Sequence, residues 1–218
     1  MPSVNIPKKS TDTDMTPFVD IAFLILSFFI MATKFKPPEP VEITTPNSVS
    51  SDELPANDAI MVLIDKDNKV FFSVLAEDNP GVFDQIIQGF NTSRNLGLTP
   101  AEMANFRRTA AIGVPFSSLK SLLAVPVEDQ KNVKQPGIPV LDSTKNELFW
   151  WIAESKKAFA GKKLTFLIKG DGVSKFPTFE AVLNSFKRND EFKYSLVTAP
   201  EDVPANSELG RSNRAATE

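Results

Sequence analysis

Phe18-Val-Asp-Ile-Ala-Phe-Leu-Ile-Leu-Ser-Phe-Phe-Ile-Met-Ala-Thr33 is a run of sixteen residues, thirteen of them apolar, broken only by Asp20, Ser27 and Thr33. Extended from Met15 to Phe35 it has 21 residues, which as a helix spans about 31 Å at about 1.5 Å per residue, enough to cross the hydrocarbon core of a bilayer. The expectation is a single transmembrane helix over 15–35. Pro17 suits its first turn, where a missing N–H costs nothing, and Thr16 or Asp14 can cap the free donors. A cleaved signal peptide would share the basic Lys8 and Lys9 and the apolar core, but Asp12, Asp14 and Asp20 at its start and the lack of a small-x-small cleavage site argue against it. A buried helix of a soluble domain is the other alternative, set aside because the run is apolar on every face. Lys8 and Lys9 on one side are balanced by Lys34 and Lys36 on the other, so charge leaves the orientation open.

Asp20 is the only ionisable residue inside the run. A carboxylate in mid-membrane costs about 2.5 to 3.5 kcal/mol on insertion scales, less near a helix end, and usually faces a bundle interior or a water-filled path. Two readings stand side by side. Asp20 either reaches the headgroups as a capping residue, or faces a protein partner and there takes up and releases a proton. Leu24, Ser27 and Met31 continue its helix face, so the seam is apolar with two polar stations. One helix cannot enclose a proton path, so the second reading calls for a membrane partner with helices of its own.

The remaining composition narrows the chemistry. The 218-residue chain has no histidine and no cysteine, which excludes disulfides, thiolate metal sites and imidazole catalysis and leaves proton chemistry to carboxylates. A net charge of −3 and a pI near 5.2 provide no basic excess for binding nucleic acid. Mean hydropathy of −0.12 hides the concentration of apolar residues near the N-terminus.

Residues 36–58 read as a tether, with prolines at 37, 38, 40, 46 and 55; such linkers extend by about 3.1 Å per residue. Partial strand pairing of Val41 to Ile43 is the alternative there. A folded domain over 59–198 follows. Ile60–Ile64 and Val70–Leu75 are strand-like, joined by a turn at Asp65–Lys69. That turn lacks the glycine and closing acid of a calcium loop. Helices are expected at Glu147–Phe159 and Phe176–Arg188, strands at Leu164–Lys169 and Tyr194–Thr198, with Phe179, Val182, Leu183 and Phe186 as core. Gly170-Asp171-Gly172 reads as a turn, since the lysine and spacing of a phosphate loop are missing. The pattern is ββαβαβ, an α+β two-layer sandwich with helices on one sheet face. A long, partly helical insert occupies about 76–146, with helices expected at Val82–Phe90, Ala101–Arg107 and Ser117–Leu123. From Ala199 the polar residues read as a flexible tail.

The string Asp14-Met-Thr-Pro-Phe-Val-Asp20-Ile-Ala-Phe-Leu-Ile-Leu26 resembles the N-terminal signature of the ExbD/TolR family, with Thr16, Pro17 and Asp20 at the family spacing. Val41-Glu-Ile-Thr-Thr-Pro-Asn-Ser48 is similar to the extended segment that follows the membrane helix in these proteins. The resemblance implies a proton-motive-force transducing subunit of the bacterial inner membrane. Residues 1–14 would be cytoplasmic and the C-terminal domain periplasmic, with Asp20 as the protonatable carboxylate and Thr16, Pro17 and Ser27 supporting it. It further implies a dimer inside a ring of an ExbB/TolQ-like subunit, a TonB-like or TolA-like periplasm-spanning partner met by residues such as Val41, Ile43, Pro46 and Ser48, and protons as coupling ion without another cofactor. The insert departs from the short connection usual in relatives; covering a sheet face, lengthening a dimer contact and binding a periplasmic partner are its candidate roles. A TolR-like envelope-integrity subunit is the alternative within the family. A membrane-anchored periplasmic enzyme is the alternative outside it, without a paired-carboxylate or Ser-x-x-Lys constellation in its favour. A flagellar-stator subunit would share the helix and its acid, but no peptidoglycan-binding pattern is present.

Overall fold

In a computed structural model the structure describes residues 15–32, 41–48, 55 and 57–200. The expectations for the N-terminal 1–14, the helix end at 33–35, the prolines at 37, 38 and 40 and the tail from 201 lie outside these residues. The chain forms two compact units, Met1–Pro38 and Glu39–Glu218.

In the first unit, α1 spans Thr16–Ala32, 17 residues. Met15 O accepts the N–H groups of Phe18 and Val19 at 3.1 Å each, which closes the first turn around Pro17. No helix among the described residues is long and apolar enough to cross a membrane; at about 1.5 Å per residue α1 measures about 26 Å.

In the second unit the strands are β1 (Asn47–Ser48), β2 (Ala59–Ile64), β3 (Val70–Leu75), β4 (Thr165–Gly170), β5 (Ser195–Val197) and β6 (Ala199–Pro200). β2 and β3 are an antiparallel hairpin, and β4 and β5 add in parallel to give the order β3-β2-β4-β5. The hairpin turns where Asp65 Oδ1 accepts the Lys69 N–H at 2.7 Å and Asn68 adopts φ of 64°, a conformation asparagine tolerates well. The helices are α2 (Gly81–Arg94), α3 (Pro100–Arg108), α4 (Phe116–Leu123), α5 (Val127–Gln130), α6 (Leu148–Ala158) and α7 (Phe176–Lys187). The expected elements thus stand within a few residues of their places, while α5, β1 and β6 were not anticipated.

Alternation along the strands sorts their residues onto two faces. Ile60, Val62, Ile64, Val70, Phe72, Phe166 and Ile168 point to the helices, where they meet Val182 and Phe186 of α7 and Leu148, Trp151 and Ile152 of α6. The insert belongs to this core. Its Ile86, Phe90, Phe106, Phe116, Leu119 and Leu123 are buried there, and the Trp151 ring lies 4.8 Å from Phe72, 4.3 Å from Phe90 and 5.4 Å from Phe116. The insert also pairs with the β3 edge. Phe72 and Ile112 exchange N–H···O bonds of 2.8 Å, and the Ile138 N–H donates to Val70 O at 2.8 Å. Of the roles considered for the insert, covering a sheet face is therefore the one its packing fulfils.

The opposite face carries a smaller cluster of Ile43, Leu63, Phe71 and Ala111, with Val41 and Met61 beside it. This corrects the loose-tether reading for residues 41–48, which lie on the sheet; residues 36–40, 49–54 and 56 of that segment lie outside the described residues. The strand considered at Val41 to Ile43 is absent. Pairing occurs instead at β1, parallel to β6 with Asn47 opposite Ala199. The tail expected from Ala199 accordingly begins as a strand. Gly113 approaches this face so closely that a Cβ would stand 2.2 Å from Phe71 Cδ1.

Candidate functional site

Two places carry the residues of functional interest. The first is α1. Thr16, Pro17, Asp20, Leu24, Ser27 and Met31 fall on one side of it, because intervals of three and four residues return to the same face of a 3.6-residue helix. Asp20 is exposed one turn in from the start, among apolar side chains that are exposed as well, including Phe18, Ile21, Phe23 and Leu24. The Ser27 hydroxyl donates to Phe23 O at 2.7 Å, so its proton is held by the helix and only its lone pairs remain to accept.

The second place is the strap of residues 41–48. Ile43 is buried against Leu63, Phe71 and Ala111, so in this arrangement it meets its own sheet. Pro46 O accepts the Ala199 N–H at 3.0 Å, and Pro46 borders a cleft of about 230 Å³ with Ile168, Asp171, Phe179 and Leu196. Ser48 stands opposite Pro200 in β1. Val41 is partly buried beside Ile43. Of the four residues expected to meet a partner, then, Ile43 and Val41 pack inward while Pro46 and Ser48 fasten the strap to the far end of the chain.

The sequence reading placed Asp171 in a turn and gave it no role. Its Oδ1 accepts the Val173 N–H at 3.0 Å and its Oδ2 the Thr44 N–H at 2.9 Å, while the Gly172 N–H donates to Thr44 O at 2.9 Å. The backbone N–H groups of Val173 and Thr44, helped by the charge of Lys66, hold its carboxyl below the usual aspartate range. The local signal was an Asp ending a strand, whose side chain commonly accepts a backbone N–H two residues on; nothing local indicates Thr44. No group of three His, Cys, Asp or Glu side chains among the described residues could hold a metal ion.

An apolar helix with one carboxylate near its start, ahead of a mixed α/β domain, is the class of protein these features define. A family model described as biopolymer transport protein ExbD/TolR matches residues 7–206, and the chain belongs to that family. Members are inner-membrane coupling subunits of motors that energise biopolymer transport. Comparisons with curated proteins and with solved structures returned no match.

Proposed function

We propose that the chain is the proton-motive-force transducing subunit of an ExbB/ExbD-type inner-membrane motor, with Asp20 as the group that takes up and releases the proton. The observation that supports this most directly is the placement of Asp20, the one carboxylate on a helix apolar on every side, a single turn beyond the Thr16-Pro17 start. Residues 15–35 cross the membrane in this reading, with 1–14 in the cytoplasm and the α/β domain in the periplasm. The exposed apolar sides of α1 meet a second copy and a ring of ExbB/TolQ-like helices, which give the carboxylate the enclosure that one helix lacks. Protons are the coupling ion and no other cofactor takes part. Each charge moved through 100 mV supplies about 2.3 kcal/mol, so a few protons per step outweigh a typical packing contact. A TonB-like protein receives the work and energises outer-membrane transport.

Asp20→Asn should abolish energy-dependent outer-membrane uptake while the complex still assembles; retained uptake would overturn the proton role. Since the family model covers both branches, the phenotype of a deletion strain separates them. Loss of siderophore or vitamin uptake marks the ExbD-like function, and detergent sensitivity marks the TolR-like one, with a TolA-like partner.

A further inference from the structure

The strap is attached at three kinds of contact, spread over the whole sheet. Ile43 plugs the apolar floor made by Leu63 of β2 and Phe71 of β3. Thr44 is bonded on both sides of its peptide unit to the loop after β4, through the Asp171 carboxylate and the Gly172 N–H. Pro46 and Asn47 are joined to Ala199, just past β5. The strap lies between the helix-bearing unit and the rest of the domain in sequence, so any load passed along the chain from α1 reaches these contacts before it reaches β2.

We propose that Asp171 is the latch of a fixed coupling: it holds residues 41–48 on the sheet while the motor works, so that load enters the domain through the strap and is shared by all the strands. The apolar plug supplies attachment without direction. The latch supplies register, since Asp171 Oδ2 accepts from one particular N–H and both carboxylate oxygens are already engaged. A hydrogen bond to an ionised acceptor is roughly twice as strong as a neutral one, and Asp171 is only 9% exposed, which limits competition from water. Asp171 is a positioning residue here and does not touch the proton. The mechanical part of the inference rests on the motor reading above; the latch itself does not.

The experiment uses the full chain in its membrane complex. Asp171→Asn replaces one acceptor by a donor at constant size, and Thr44→Pro removes the N–H from the other side. Both should speed amide exchange of the remaining strap residues by about tenfold, leave Val62 and Ile168 unchanged, and cut energised uptake at least tenfold. The chain has no cysteine, so Asn47→Cys with Ala199→Cys introduces a single thiol pair at positions that face each other across β1 and β6. Oxidation of that pair should restore uptake to both variants, and a reductant should remove it again, a rescue that a merely structural role for Asp171 would not show. Unchanged strap exchange, full uptake with a frayed strap, failure of the lock to rescue, or loss of uptake when the wild-type strap is locked would each overturn the proposal. Asp20→Asn run in parallel separates the two readings: if that variant still transports, the proton role falls, while strap exchange still decides the latch.

Discussion

Asp171 and Glu147 show how the same carboxyl chemistry diverges with its surroundings. Asp171 accepts two backbone N–H groups and is held below its ordinary range. Glu147 is half-buried, and loss of water pushes it up despite the Phe116 N–H at 2.7 Å from its Oε2 and the nearby Arg94 guanidinium. For Glu147 the folded state binds the proton more tightly than the unfolded chain. Stability tied to it is therefore fully present below the unfolded value of about 4.3 and declines as pH rises through the higher folded one. Glu147→Gln keeps an acceptor for Phe116 and removes the desolvated charge, so it should raise the melting temperature at pH 7 by a few degrees, with the difference vanishing near pH 4. Under the proposed proton role, Asp20→Glu should keep part of the motor activity, because the carboxyl survives but is displaced by one methylene.

At the scale of elements, local rules account for where helices begin and packing accounts for what they are worth. Thr99 and Glu102 form a capping box at the start of α3, with the Thr99 N–H donating to Glu102 Oε2 at 2.7 Å and the Glu102 N–H to Thr99 Oγ1 at 3.3 Å. Thr99→Ala should cost about 1 kcal/mol. Trp151 of α6 is in another range, because its ring joins the sheet through Phe72 to the insert through Phe90, Phe106 and Phe116. Trp151→Ala should cost about 3 to 5 kcal/mol, enough to consume much of a domain's usual margin. Urea unfolding of the two variants side by side checks both magnitudes. The α2, α3 and α4 helices were expected from sequence, α2 because Phe83, Ile86, Ile87 and Phe90 repeat at helical intervals. Their attachment to α6 was not, since periodicity marks an apolar face without saying what it meets.

Over the whole molecule the sheet is covered unevenly. One face is sealed by helices of the insert and by α6 and α7, while the other carries the smaller cluster under the strap. Regions with fewer buried contacts open first, and this side also depends on an ionised carboxylate. Because the folded value of Asp171 is depressed, its hold on Thr44 is intact above about pH 4 and is lost as pH falls through that lower value. Acid titration should therefore accelerate amide exchange in residues 41–48 before the near-ultraviolet circular dichroism of the Trp151 cluster changes. Simultaneous loss of both signals would show instead that the two faces unfold as one.

The sequence by itself determined the apolar helix with its single carboxylate, the strands and helices of the α/β domain and the family signature at Thr16, Pro17 and Asp20. All of these depend on residues within a turn or two of one another, where side-chain period and turn chemistry act directly. Only the tertiary structure decided that residues 41–48 are docked, that the insert shares the main core, and that Asp171 holds Thr44. Those contacts join residues far apart in the chain, 127 positions in the case of Thr44 and Asp171. Burial and hydrogen bonding across the sheet select such pairs, and no local pattern encodes them.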